Sequence, residues 1–261
     1  MSDDDDIVLY DVNKGVCSIT LNRPPVHAFN LALQKRLNEH LVQADNDEKA
    51  KCILLRSTGN KAFSAGIDIK IPVSEMTPEY RNELLKYGRA NNQLLATTMK
   101  PVVCVVQGTA IGYGFELIMA SDLRIFIDRP IEEMFFRMPE IALSIYPSTG
   151  ATILPLLSLG LSYAKSILLT SDNLGLKDLP PRFATRIFKP DELEQGVQDF
   201  MKEFMSHKES FMYLIKSSLT IMNNKLIEKW FDLEDEGVTV AYEKKSSNEW
   251  KQIINELYKK Y

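Results

Sequence analysis

Two glutamates stand where a carboxylate is out of place. Glu116 lies between Phe115 and the apolar run Leu117, Ile118, Met119, and Glu140 lies between Pro139 and Ile141. A carboxyl group with apolar neighbours on both sides loses solvation of its charged form. Its pKa then rises toward neutrality, which suits it to moving protons. A purely structural role is equally open, because either acid would also fit an ion pair with a buried arginine such as Arg124 or Arg137.

Both acids sit near small-residue turns. Residues 107–124 (QGTAIGYGFELIMASDLR) carry Gly108, Gly112 and Gly114 and end in an apolar, helix-like run that holds Glu116. The strand-like run 101–106 (PVVCVV) comes just before. Strand, glycine turn and helix in that order leave backbone N–H groups free at the helix start. Residues 61–70 (KAFSAGIDIK) repeat the pattern after another strand-like run, 51–56 (KCILLR). A lone turn of this kind is usually a packing device. Two of them at strand–helix junctions of one sheet can aim their N–H groups at one oxygen and form an oxyanion hole. With residues 138–150 (MPEIALSIYPSTG), which supply Glu140, the three stretches are expected to make one active site.

Other chemistries lack their residues. His27, His40 and His207 are scattered, without metal spacing, and there is no CxxC pair, so no metal site is expected. There is no GxSxG for a serine hydrolase. The 108–114 glycines do not match GxGxxG, and no GKS or GKT follows, which argues against a dinucleotide or ATP site.

The elements that must position these residues alternate. Residues 7–10 and 15–21 read as paired strands, stopped by Pro24 and Pro25. Residues 30–45 read as a helix, with Leu33, Leu37 and Leu41 at helical spacing and Asn30 as its cap. Runs 51–56, 101–106 and 123–127 read as strands, and 77–98 as a long helix. This order predicts crossovers and a parallel sheet. From residue 149 the pattern is helical: 149–159, 162–170, 191–207, 208–223, 225–245 and 248–260. The tail from about residue 205 has no strand of its own and is expected to pack on a partner subunit as well as on its own core.

The totals set limits. The chain has 261 residues, a net charge of −4 and 45% hydrophobic residues. That is ordinary for a soluble protein of one large domain, or of a domain plus a small appendage. The acidic balance argues against nucleic acid as a main partner. Cys17, Cys52 and Cys104 each sit in an apolar run, as free buried thiols would in a reducing compartment. The acidic start MSDDDD lacks a signal-peptide pattern, and no run reaches the roughly 18 apolar residues of a membrane helix. A cytoplasmic protein is expected.

Asn22–Arg23–Pro24, KAFSAGIDIK, QGTAIGYGFELIMASDLR and the Pro139–Glu140 turn occur together in an order and spacing that resemble the crotonase (enoyl-CoA hydratase/isomerase) superfamily. The resemblance covers residues 7 to 175 best. It implies an α/β fold, a crotonase-like ββα spiral core over 1–204 with a C-terminal helical trimerisation region over 205–261. It also implies an acyl-CoA thioester substrate, coenzyme A entering as part of that substrate and no separate cofactor. The family's oxyanion hole would fall on the amides of Ile67 and Tyr113. Glu116 and Glu140, 24 residues apart, fall where hydratases keep two catalytic glutamates around one water. Glu116 would activate the water, and Glu140 would exchange the proton at the α-carbon. Val26, His27, Ala28 and Ala65 would line the coenzyme path, and Asp68, Ile69 and Lys70 would border the thioester. Lys244 and Lys245 would meet coenzyme phosphates across a subunit contact. The family also implies a homotrimer or dimer of trimers.

The chain departs from the family pattern in four places. Tyr113 replaces a usual glycine and His27 a usual asparagine. Residues 144–148 (SIYPS) replace a glycine-rich segment, so that Tyr146 and Ser148 would shape the water site. Residues 182–186 (RFATR) replace a usual strand. Hydration of a 2-enoyl-CoA in fatty acid metabolism is the reaction implied. The alternatives are 3,2-enoyl-CoA isomerisation, decarboxylation, hydration of a cyclic dienoyl-CoA, or a non-catalytic coenzyme-A-binding scaffold.

Overall fold

A computed structural model describes residues 7–72 and 74–241, together with 249, 252 and 255. The chain opens with β1 (Val8–Asn13), β2 (Val16–Leu21) and α1 (Leu31–Asn46). Then one pattern recurs three times: a strand, a second very short strand, and a helix. The first turn is β3 (Cys52–Ser57), β4 (Ala62–Ser64) and α2 (Pro78–Thr97). The second is β5 (Val102–Val106), β6 (Thr109–Ile111) and α3 (Tyr113–Ala120). The third is β7 (Leu123–Ile127), β8 (Phe136–Arg137) and α4 (Ile153–Leu159).

Each turn stacks on the one before it. The first strand of each repeat joins β1, β2 and β9 (Arg186–Phe188) in a six-stranded sheet of order β1-β2-β3-β5-β7-β9, and the second strands form another sheet, β4-β6-β8. β1 pairs antiparallel with β2, and the other pairings are parallel. This is the ββα spiral that the resemblance implied. Parallel strands covered on both faces need apolar residues at every position, and all five residues of β5 are buried. Phe29, Phe63, Phe115, Phe126 and Phe136 fill the space between the sheets and helices.

The helix starts are set locally. The Asn30 side chain accepts from the Leu33 amide at 2.9 Å and caps α1, and Leu33, Leu37 and Leu41 turn inward. Thr77 caps α2 from outside its first residue, Pro78. Cys17, Cys52 and Cys104 are buried free thiols, and burial pushes Cys52 up to about 12.

Beyond β8, the helices α5 (Leu161–Thr170) and α6 (Leu193–Phe204) lead to α7 (Glu209–Ala241). Here the structure corrects the sequence reading. The segments expected as two helices, 208–223 and 225–245, form one continuous helix of 33 residues through 241. Asn223 and Asn224 are weak helix formers, but with no proline or glycine at the junction their small cost is overridden by packing. α7 runs back along the chain's own core. Its Lys216 ammonium donates to the carbonyls of Lys100 at 2.9 Å and Leu95 at 3.5 Å and to Asp122 at 2.6 Å. The stretch 182–186, read as replacing a strand, leads directly into β9, which pairs with β7. The helix expected over 248–260 and the lysines 244 and 245 lie outside the described residues, apart from 249, 252 and 255. Among the described residues no helix is long and apolar enough to cross a membrane.

Candidate active site

The two small-residue turns meet. Gly66 follows β4 at a φ of +78°, and a Cβ there would lie 2.5 Å from the Ile111 carbonyl and 3.3 Å from the Tyr113 nitrogen. Gly114 in α3 backs onto Ser64, where a Cβ would be 2.5 Å from the Ser64 carbonyl. Only glycine permits both approaches. The second sheet, through the β4–β6 pairing, holds the turns side by side.

Hydrogen bonding then decides which amides are left over. The Phe29 amide donates to the Gly66 carbonyl at 2.7 Å, and the Asp68 amide donates to the Phe29 carbonyl at 2.9 Å. In an extended segment alternate groups face opposite ways, so the Ile67 N–H, between these two, faces away from Phe29. Tyr113 is the first residue of α3, where an N–H has no partner within the helix. Among the described residues neither amide has an acceptor, and Ile67 and Tyr113 both line one cavity of about 810 Å³.

The Tyr113 ring is buried, edge-on to Phe29 with centroids 4.8 Å apart. Its hydroxyl donates to the Gly88 carbonyl of α2 at 3.2 Å. Gly88 makes the room, since a Cβ there would meet the ring at 3.3 Å and Thr149 at 2.9 Å.

Glu116 sits one turn into α3 and is 2% exposed. Its Oε2 accepts from Asn92 Nδ2 at 2.9 Å and from the Thr149 hydroxyl at 2.6 Å. Burial, and then the nearby Glu140 charge, push its pKa well above the usual carboxylate range. Glu140 follows β8. Its Oε1 lies where Gly112 lacks a side chain, since a Cβ on Gly112 would be 3.3 Å away. Its Oε2 is buried and has no partner among the described residues. Burial lifts Glu140 to about 7. Neither acid uses the arginines that offered the structural alternative. Arg124 donates to the carbonyls of Phe183, Ser121 and Ile118, and Arg137 donates to Ser171 at 3.1 Å.

The cavity gathers Val26, Ala28, Ala65, Ile67, Asp68, Ile69, Lys70, Tyr113, Glu116, Glu140, Tyr146 and Ser148. His27 is the exception. It is buried away from the cavity, with Nδ1 accepting from the Arg23 amide at 3.1 Å and Nε2 bonded to the Thr58 carbonyl at 2.9 Å. The family-like Asn-Arg-Pro stretch has a structural use as well. Arg23 donates to the Ala28 carbonyl at 2.6 Å and to Asp68 at 2.9 Å, tying the 23–28 loop to the Ile67 turn.

Two turn residues whose amides have no acceptor among the described residues and the acids Glu116 and Glu140 line one cavity, and the chain as a whole matches a known family. The enoyl-CoA hydratase/isomerase family model covers residues 11–252. The chain belongs to the enoyl-CoA hydratase/isomerase family. It is 28% identical over 217 residues to the short-chain-enoyl-CoA hydratase of Clostridium acetobutylicum, covering 81% of this chain and 80% of that one. It is also 26% identical over 235 residues to the 1,2-epoxyphenylacetyl-CoA isomerase of Escherichia coli, covering 88% and 87%. The crystal structure of enoyl-CoA hydratase from Bacillus halodurans superposes with a TM-score of 0.82 at 20% identity, covering 91% of this chain and 96% of that one. At that identity the likeness speaks for the fold.

Within this hydratase/isomerase frame, sequence reasoning missed Asn92 and Thr149, which hold Glu116. Asn92 carried a readable signal. It stands eight residues after Leu84 on the inward face of α2, where an asparagine needs a polar partner. Thr149 carried none, because only the fold brings it to Glu116. The path of α7 was also missed: Val238 lines the cavity, and the Tyr146 ring lies against Gly237.

Proposed function

We propose that this protein adds water across the double bond of a 2-enoyl-CoA. The observation that carries the reading is that two turn residues, whose amides have no acceptor among the described residues, line one cavity with two glutamates, one buried and the other with a buried carboxyl oxygen. In this reading the thioester oxygen accepts from the Ile67 and Tyr113 amides. Glu116, held by Asn92 and Thr149, takes a proton from water as the water oxygen bonds to the β-carbon. The electron pair of the double bond moves onto the thioester as an enolate, and the two amides stabilise the charge on its oxygen. Each such donor is worth on the order of 3 kcal/mol of barrier. Glu140, in its protonated form, then delivers a proton to the α-carbon. Two neighbouring raised-pKa acids can share one proton, and this division of work requires that the substrate-bound pair hold it on Glu140.

Coenzyme A would enter as part of the substrate, along Val26, Ala28 and Ala65. Leu84, Leu85, Leu143, Ile145 and Val238 are among the apolar residues lining the cavity, which favours an aliphatic acyl group over a charged one and fits fatty acid metabolism. The test is purified protein with crotonyl-CoA and longer 2-enoyl-CoAs, followed by the absorbance of the conjugated thioester and by product mass. Gain of one water supports hydration, and no turnover of any enoyl-CoA overturns it.

Double-bond isomerisation is the second reading. The Tyr146 ring, wedged against Gly237 of α7, narrows the side of the site where water would enter. A product of unchanged mass from a 3-enoyl-CoA, with no hydration, would select it.

A further inference from the structure

A third buried acid lies next to this pair and plays no part in the reaction described above. Glu234 is carried by α7 and is fully buried, 0% exposed. Its carboxylate accepts from the Gly150 amide at 2.8 Å, the Thr152 amide at 2.9 Å and the Thr152 hydroxyl at 2.5 Å. The Trp230 indole N–H, one turn earlier on α7, donates to the same hydroxyl at 2.9 Å. The helix therefore grips the 150–152 segment at four hydrogen bonds. Gly150 sits directly under α7, at a φ of +99° and with room for a Cβ only 3.0 Å from Phe231.

The gripped segment continues into the residue that holds the first acid. Thr149 precedes Gly150, its hydroxyl bonds to Glu116 at 2.6 Å, and its carbonyl accepts from Asn92 at 2.8 Å. Asn92 in turn donates to Glu116. We infer that Glu234 is a positioning residue: from the C-terminal helix it clamps the 150–152 turn, and through Thr149 it sets where the Glu116 carboxylate stands. The inference rests on the proposed function, and it gives the C-terminal helix a role in the chemistry of its own subunit.

Charge joins the same groups. The ionisable groups around Glu234 are Glu116 from α3, Glu140 and Tyr146 from the segment after β8, and Arg89 from α2. Arg89 is itself ion-paired with Asp235, the next residue of α7. Burial raises Glu234, and its hydrogen bonds from Thr152 and Gly150 work against that. Its negative charge pushes Glu140 upward. Neutralising it therefore lowers the Glu140 pKa.

Two variants test this, Glu234→Gln and the milder Thr152→Val, assayed per folded molecule as judged by circular dichroism. The expected result for Glu234→Gln is a fall in kcat of roughly tenfold to hundredfold, the range for a small displacement of a catalytic group, with KM within about twofold. The alkaline limb of its pH–rate profile should move to lower pH. Thr152→Val should lower kcat by a few fold and leave KM alone. Wild-type kcat per folded molecule in the folded variants overturns the inference, as does a rise in KM without a fall in kcat. If Glu234→Gln does not fold, Thr152→Val alone decides. If the wild-type protein turns over no enoyl-CoA, the hydratase reading fails on its own. The inference is then decided by carbon-13 titration of labelled glutamates. The Glu140 midpoint should fall in Glu234→Gln, and unchanged Glu116 and Glu140 signals overturn it.

Discussion

Among the described residues, one buried oxygen of Glu140 has no partner. A buried carboxyl oxygen without a partner is costly to keep, and Glu140 keeps one beside the cavity. Replacing it by glutamine preserves shape and removes the proton. Glu140→Gln should lower kcat by roughly a hundredfold to ten-thousandfold with little change in KM, and Glu116→Gln should do the same. Steady-state kinetics on a 2-enoyl-CoA checks both. The pH dependence follows from the proposed role. Glu140 acts as an acid, so activity is present while it is protonated and falls as pH rises through its pKa of about 7. That alkaline limb should be missing from whatever activity remains in Glu140→Gln. Glu116 and Glu140 were legible as residues because an acid inside an apolar run is conspicuous. Thr149 and Glu234 were not. Each has polar neighbours or a helical polar face in the sequence, and its partner is brought to it from 33 or 82 to 84 positions away.

At the scale of elements, the two glycine turns must touch for the amides to converge. Gly66→Ala would place a methyl group 2.5 Å from the Ile111 carbonyl at a φ of +78°. The turn has to move, and the Ile67 amide moves with it. The expected outcome is a loss of kcat of roughly a hundredfold or more and a stability loss of about 1–3 kcal/mol, read from kinetics and from urea denaturation. The turns could be read because glycine spacing reports backbone shape directly. The second sheet could not, because strands of three, three and two residues are too short to show a period of two. The start of α1 was legible from its capping side chain, Asn30. The continuity of α7 was not, since the sequence reading split at residue 224 a helix that tertiary contacts carry through.

For the molecule as a whole, alternation of strands and helices was enough to foresee a parallel sheet, and motif order was enough to foresee the spiral. The route of the C-terminal helix depends on contacts between distant residues, such as Lys216 with Asp122, which no local pattern encodes. That helix faces two ways. One side grips the site. The other leaves Phe211, Leu214, Ile215, Leu219 and Ile221 more than half exposed, a large apolar stripe for a soluble surface. We propose that this stripe is covered by other copies of the chain in a trimer or dimer of trimers. Light scattering should give a mass of three or six chains, and Leu219→Asp should shift it toward the monomer. A wild-type monomer at micromolar concentration would refute the assembly.

In the proposed reaction Tyr113 would offer its amide to the thioester oxygen, while its ring packs against Gly88 of α2 and bonds to the Gly88 carbonyl. A donor that must meet an oxygen at a fixed distance is thus bolted to a neighbouring helix by its own side chain. Adding a single methyl group at Gly88, which does not line the cavity, should loosen the grip on the enolate as surely as a change made inside it.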